Sequence, residues 1–375
     1  MKKVLFLIES FTLGGAEKVL VDIVNNLDPD KYQVTVYSLF RASVYGKRYP
    51  HEMETRFNKT TRFRYLFDNR IKWISLLANY GLSKFPAKLY SLFIRDRFDV
   101  VVAFYEGAPT RLVSAAKLKR GKKIAWLHTS TELSQRRKNQ ASVRQEKERY
   151  AEFDKIVAVS NSVSRSFSGM FPELASKLIT AYNPIDLEAV QRNAATGQPI
   201  NRGQEPLLVS VGRIAEPKAY DRYLRVIRDL KNIGLDFRVW IIGGGDRSCL
   251  EAFCRENGLD NVEFLGNQPN PYPFMKVADW VVVPSQIEGL GMVVLESLVL
   301  GKAVLATDCG GIREILGASE YGVLVDNDEN SLFKALVSVI SGQVDKRRYE
   351  RTALQRGLNF SLKERIPEIE RILDA

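Results

Sequence analysis

Glu288 and Glu296 stand eight residues apart, between a run of valines and an apolar helix pattern. Val281 to Val283 reads as a buried strand, Gly289, Leu290 and Gly291 form a turn, and Met292 to Leu300 is apolar nearly all round, closing at Gly301. Glu296 therefore falls inside a buried helix, where an unpaired carboxylate is costly and must meet a cation or the hydroxyl groups of a ligand. The structural alternative is a Glu296 that bonds an arginine in the core. Glu288 falls on the loop at the carboxyl end of its strand, where open α/β sheets hold their ligands. The chemistry this spacing suits is a clamp on hydroxyl-rich rings, a sugar and a ribose. Other chemistry-bearing residues also follow strand patterns: Gly212 and Arg213, with Lys218 five residues on, and His128 after Ile124 to Leu127.

Those residues need a framework, and the chain alternates strand and helix patterns throughout. In the first part strands are expected at Val4 to Ile8, Gln33 to Ser38, Val100 to Phe104, Ile124 to His128 and Ile156 to Ser160, with helices around Ala16 to Leu27 and Ile71 to Phe98. A polar stretch from Gln191 to Glu205 reads as a linker. A second series then runs through Leu207 to Val211, Arg238 to Ile242, Val262 to Leu265, Ala278 to Val283 and Ala303 to Thr307. Strands separated by helices imply parallel sheets, so the reading is α/β with two domains, residues 1–188 and 200–358, facing across a cleft. Asp326 and Asp328 read as a turn and helix cap rather than a metal pair.

The chain of 375 residues is long enough for two or three cores. No apolar run has the length of a membrane span, and the first eight residues read as a strand rather than a secretory signal. Three cysteines without metal-type spacing, and only two histidines, His51 and His128, fit a reducing cytosol and no zinc or disulfide framework. The net charge of +11 is one-sided: residues 1–190 hold 32 Lys and Arg against 19 Asp and Glu, and the remainder holds 23 against 25. The excess is densest where Arg62, Arg64, Arg70, Lys72, Lys84, Lys88, Arg95 and Arg97 interleave with Phe63, Tyr65, Phe67, Trp73, Tyr90 and Phe93. That mixture suits an anionic membrane surface. Nucleic-acid binding, or a solvated helix face over core aromatics, would use the same residue types.

The E-x7-E spacing, followed by Gly301, Asp308, Gly311 and Glu314, resembles the donor-site signature of the retaining glycosyltransferases of family 4. The resemblance extends over the chain through Gly14, Gly15 and Glu17, then Gly212, Arg213 and Lys218, then Gly243 to Asp246. It implies a GT-B architecture of two Rossmann-like domains, with a final helix, about 360–375, crossing back to the first. It also implies a nucleotide-diphosphate sugar as donor, UDP-linked rather than GDP-linked, and a lipid-linked or glycan acceptor at the cytosolic membrane face. Arg213 and Lys218 would grip the diphosphate in place of a metal ion, so no cofactor is expected. His128 would contact the donor sugar, Glu288 its hydroxyls and Glu296 the ribose. Backbone N–H groups at Gly14, Gly15, Gly244 and Gly289 to Gly291 would add contacts, with the base near Gly266 to Asn270. Glu17, Tyr105 and Glu106 are assigned to the acceptor side. The family usually has glycine after the lysine, where this chain has Ala219.

Other classes fit less well. A nucleotide-sugar epimerase of the same fold needs an acid and base pair that two histidines scarcely provide, and a phosphorylase needs a lysine-bound cofactor that nothing indicates. A dinucleotide dehydrogenase wants G-x-G-x-x-G after its first strand, which Gly14 and Gly15 do not supply. A basic nucleic-acid-binding protein would require a charged stripe unrelated to a donor pocket.

Overall fold

The computed structural model describes residues 1–11, 14–41, 56–68, 72–130, 140–196 and 200–375. The chain divides into two units, Met1–Pro184 with Arg365–Ala375, and Ile185–Glu364. Each is built on a parallel sheet flanked by helices, the Rossmann-like α/β class expected from the sequence.

The first sheet contains β1 (Lys2–Ser10), β2 (Tyr32–Phe40), β3 (Arg62–Phe67), β4 (Val100–Ala103), β5 (Lys122–Leu127), β6 (Lys155–Ala158) and β7 (Leu178–Thr180) in the order β3-β2-β1-β4-β5-β6-β7. Runs such as Val4 to Ile8 and Val100 to Ala103 are buried on both faces, as parallel strands under helices must be. The helix Gly15–Asn26 covers one face with Val19, Leu20, Ile23 and Val24. The helical region expected around 71–98 holds two helices, Lys72–Lys84 and Pro86–Phe93, because Pro86 lacks the N–H that would continue the first. Sequence reading also missed β3, whose alternating arginines are exposed while its rings point inward. Arg70 and the side chain of Lys72 lie outside the described residues. From Arg365 onward the last helix, Leu362–Asp374, belongs to this unit: Ile366, Ile369, Ile372 and Leu373 are buried, and Lys2 pairs with Asp374 at 2.9 Å.

The second sheet contains β8 (Leu207–Val211), β9 (Arg238–Ile242), β10 (Val262–Gly266), β11 (Trp280–Val283), β12 (Val304–Thr307) and β13 (Val323–Val325) in the order β10-β9-β8-β11-β12-β13. Its core gathers Leu208, Val239, Ile241, Val282 and Leu305 from the strands with Tyr223, Leu224 and Ile227 of the helix Tyr220–Asn232. The boundary differs from the expected linker. Residues Leu187–Ala194 form a helix capped by Asp186, whose carboxylate accepts from Ala189 N–H at 2.8 Å. Val190 and Ala194 are buried, so this helix packs with the second unit and the division falls at Pro184. Asp328 caps the helix Glu329–Ile340 by accepting from Ser331 N–H, while Asp326 lies before that helix.

In each sheet the strand order reverses once, between β1 and β4 and between β8 and β11. Loops that leave adjacent strands in opposite directions open a crevice at their carboxyl ends, where doubly wound sheets hold ligands.

Candidate active site

At the reversal in the second unit the loops after β8 and β11 are locked together. The turns after β8 and β9 meet at backbone distance: Gly212 N–H donates to Ile242 O at 2.9 Å, and a Cβ on Gly243 would collide with the Gly212 carbonyl. Arg213 follows, exposed, with no carboxylate partner among the described residues. Pro217 O then accepts from Gln286 N–H and Ile287 N–H at 2.8 and 3.2 Å, tying the lysine's turn to the loop after β11. Across that tie Lys218 Nζ donates to Glu288 Oε1 at 2.5 Å, and Ser285 Oγ donates to the same oxygen at 2.7 Å. Both charged side chains are half-buried, so the pair is held before any ligand arrives.

Four features hold this arrangement. Arg222, buried in the helix Tyr220–Asn232, donates to Pro284 O at 2.7 Å and to Asn327 O at 3.0 Å, and Asn327 donates back to Gln286 O at 3.1 Å. Gly310 adopts φ 56°, and a Cβ there would collide with the Glu288 carbonyl, so both its conformation and its space require glycine. Ala219 takes the left-handed conformation, φ 53° and ψ 39°, which suits a glycine better than an L side chain. Burial beside Glu288 pushes the Cys309 thiol up to about 12, so it stays protonated and donates to Ser285 O.

The helix Met292–Val299 starts at Gly291 with no side-chain cap, so its first N–H groups lack intrahelical acceptors and favour an anion. Gly289 O accepts from Gly311 N–H at 2.9 Å, and Leu290 is buried. Glu296 is buried in the same helix, and its Oε1 accepts from the Tyr272 hydroxyl at 2.9 Å. Asn270 is committed elsewhere, its amide donating to Asn193 O at 2.7 Å and Thr196 Oγ1 at 3.1 Å, at the end of the helix Leu187–Ala194. Gly244 approaches Asn267 rather than Asn270.

At the reversal in the first unit burial disfavours the charged forms of the carboxyl and imidazole groups. Glu106, after β4, accepts from His128 N–H and Thr129 N–H at 2.7 and 2.8 Å through Oε1, joining the ends of β4 and β5. Tyr105 stacks on the His128 ring at 5.6 Å and 19°, and Phe104 meets its edge at 4.8 Å. Burial holds the His128 imidazole down to about 3, and raises the Glu106 carboxyl to about 7 against the pull of the backbone N–H groups. The Phe104 backbone opposes that lowering of the His128 ring, and Nε2 is buried without a partner among the described residues. Glu106 Oε2 and Arg111 Nε are likewise buried and unpartnered among the described residues. Burial also raises the Glu9 carboxyl, with Arg111 opposing. Gly14 opens the helix Gly15–Asn26 without a side-chain cap, and Glu17 folds over it, so that a carboxylate already lies at this N-terminus.

Thus the structure joins Gly212, Lys218 and Glu288 through their loops, with Arg213 beside Gly212 in the chain, and joins Tyr105, Glu106 and His128. It ties Asn270 to a neighbouring helix instead. Ser285, Tyr272 and Arg222 were not read from the sequence. Ser285 had a signal, being a hydroxyl directly after a buried strand; Tyr272 and Arg222 had none, since their partners are distant in sequence.

The family description "Glycosyltransferase Family 4" matches residues 13–189, and "Glycosyl transferases group 1" matches residues 192–356. The chain is 32% identical over 183 residues to N-acetylgalactosamine-N,N'-diacetylbacillosaminyl-diphospho-undecaprenol 4-alpha-N-acetylgalactosaminyltransferase of Campylobacter jejuni, which covers 48% of each chain. It is 30% identical over 237 residues to D-inositol 3-phosphate glycosyltransferase of Nocardia farcinica, 58% of this chain and 51% of that one. The chain thus spans about half the length of the curated relatives it matches. Among solved structures, HepE of Anabaena in complex with UDP and glucose has TM-score 0.77 at 18% identity over 100% of both chains. Sucrose-phosphate synthase of Thermosynechococcus elongatus has TM-score 0.77 at 14% identity over 99% of this chain and 98% of that one. At these identities the likeness shows the fold.

Proposed function

The chain belongs to the GT-B glycosyltransferases of the family 4 type, and we propose that it moves a hexose-type sugar from a UDP-sugar to a lipid-linked or glycan acceptor at the cytosolic face of a membrane, with retention of configuration and without a metal ion. The observation that carries this reading is the Lys218–Glu288 ion pair at the carboxyl ends of β8 and β11, with Ser285 on the same carboxylate oxygen. A diphosphate entering there offers Lys218 a second anion, with Arg213 free to supply a bidentate fork. Glu288 then turns from counterion to acceptor for sugar hydroxyls. Negative charge grows on the leaving phosphate as the C–O bond breaks, and two fixed cations stabilise it where other transferases use a metal. Glu296 accepts from the ribose hydroxyls, alongside Tyr272.

In the first unit the neutral His128 has its buried Nε2 without a partner among the described residues, which suits a hydroxyl group of a sugar. Glu106 and Tyr105 position that ring. In this reaction the leaving phosphate takes the acceptor's proton. The UDP and lipid readings draw support from two neighbours, HepE crystallised with UDP and glucose, and the Campylobacter relative named for a diphospho-undecaprenol acceptor.

The test is isothermal titration with UDP and GDP, followed by transfer assays using UDP-sugars and a diphosphate-linked polyprenyl glycan. UDP should bind more tightly, EDTA should leave the rate unchanged, and the product's anomeric configuration by NMR should match the donor's. Preference for GDP would overturn the donor assignment, EDTA sensitivity the metal independence, and an inverted product the retention.

A further inference from the structure

The helix Lys72–Lys84 is apolar on two opposite faces. Ala78 and Leu82 are buried, and Gly81 closes on Leu89 of the next helix. On the other side Trp73, Leu76, Leu77 and Tyr80 follow i, i+3, i+4, i+7 spacing and are 62%, 63%, 61% and 59% exposed. The core does not use this second stripe, yet it has the width of a core-facing one. It continues across Pro86, since the Tyr80 and Phe85 rings meet at 6.3 Å and Leu92 is also exposed. Contiguous exposed apolar side chains of this size mark an interaction site rather than chance exposure.

The charges around the stripe say what covers it. From Lys72 to Arg95 the chain has no acidic residue, while Lys84, Lys88 and Arg95 are exposed basic groups, and Lys88 Nζ lies over the Phe85 ring at 5.4 Å. Lys84 falls one turn beyond Tyr80, at the end of the stripe. Tryptophan and tyrosine with leucine, edged by lysine and arginine, match the depth profile of an anionic bilayer: apolar side chains below the headgroups and cations among the phosphates. Among the described residues no helix is long and apolar enough to cross a membrane, so the segment would lie in the interface plane.

We propose that Trp73, Leu76, Leu77 and Tyr80, with Phe85 and Leu92, form the surface by which this chain docks on anionic phospholipid. The purpose of that docking rests on the membrane-borne acceptor proposed above; the docking itself does not.

Trp73 is also a reporter, because the other three tryptophans, Trp126, Trp240 and Trp280, are 0%, 4% and 3% exposed. Phosphatidylcholine vesicles with phosphatidylglycerol should blue-shift the emission and brominated lipid should quench it. Phosphatidylcholine alone should give neither response, nor should Trp73→Phe with either vesicle. A Trp73→Glu, Leu77→Glu double variant should bind anionic vesicles at least about 10-fold more weakly with UDP binding unchanged; Leu76→Ala with Leu77→Ala is the milder variant if the first misfolds. Vesicle binding undiminished in these variants, or Trp73 emission indifferent to lipid, overturns the proposal. So does a wild-type dimer that the double variant dissolves while vesicles are ignored, since a second copy would then cover the face. Absence of binding to UDP and GDP alike, together with intact vesicle binding, would sink the transferase reading and leave this surface standing.

Discussion

The two strand-order reversals hold their polar groups in opposite ways. After β8 and β11 a half-buried cation and carboxylate satisfy each other, with Ser285 as third partner and Tyr272 serving Glu296. After β4 and β5 burial disfavours charge, with Glu106 raised to about 7 and His128 lowered to about 3, and His128 Nε2 and Glu106 Oε2 lack partners among the described residues. The same topology thus builds two kinds of polar surface, one of paired charges and one where burial disfavours charge.

The largest effect should come from breaking the charged arrangement. Lys218→Ala is expected to lower kcat by about 100- to 1000-fold, the loss seen when one group stabilising developing charge is removed, with far-UV circular dichroism unchanged. Glu288→Gln keeps the shape and should mainly raise the donor KM. If Lys218→Ala stays within about tenfold of wild type in kcat/KM while its melting temperature falls, the ion pair is a fold staple and the contrast between the two reversals fails.

Breaking the neutral arrangement should show in pH dependence. Between pH 4.5 and about 7 the folded Glu106 keeps a proton that the unfolded carboxyl has released, so its contribution to stability falls as pH rises through that window. His128 works the other way: from about 3 to 6.5 the unfolded imidazole is protonated and the folded one is not, so stability rises with pH. Where the windows overlap the two oppose each other. Glu106→Gln removes the first, and the melting temperature should then climb more steeply with pH across the overlap. NMR should find the His128 ring neutral throughout that range; a ring titrating near its ordinary 6.5 would remove the neutral half of the comparison.

Gly310→Ala tests what props the charged site. The left-handed φ of 56° and the approach of the Glu288 carbonyl leave no place for a methyl group. A cost of about 1 to 3 kcal/mol should appear as a drop of several degrees in melting temperature, with donor affinity falling in parallel as the Glu288 loop shifts. Stability loss with donor affinity unchanged would show that the loop tolerates the shift.

Much of this was legible in the sequence, for physical reasons. Strands buried on both faces read as continuous Val, Ile and Leu runs, so β1, β4, β8 and β11 were placed closely, and residues that follow such strands must lie at the carboxyl edge. Short or charged strands carry no such signal: β3 alternates arginine with aromatic residues, and β7 and β13 have three residues each. The helix Leu187–Ala194 was hidden in a polar stretch because only Val190 and Ala194 face inward. The bond of the Asn270 amide to Asn193 had no local signal, because the two are 77 residues apart. Arg222 reads as a surface residue in an amphipathic helix until the structure shows its guanidinium holding Pro284 and Asn327.

The smallest expected effect concerns Ala219, the left-handed residue that turns the chain between Lys218 and the helix Tyr220–Asn232. Relieving that conformation with Ala219→Gly gains about 1 to 2 kcal/mol. Against this, glycine adds about 0.4 to 1 kcal/mol of unfolded-chain entropy, and the lost methyl, 1% exposed, forfeits about 0.8 kcal/mol of burial. The terms nearly cancel, so the melting temperature should move by no more than about 4 °C in either direction, and kcat should be unchanged because Lys218 keeps its place. A larger loss of stability would mean that the methyl group is a packing element of the second unit. A change in kcat with stability intact would mean that the stiffness of alanine, and not the path alone, holds Lys218 against Glu288.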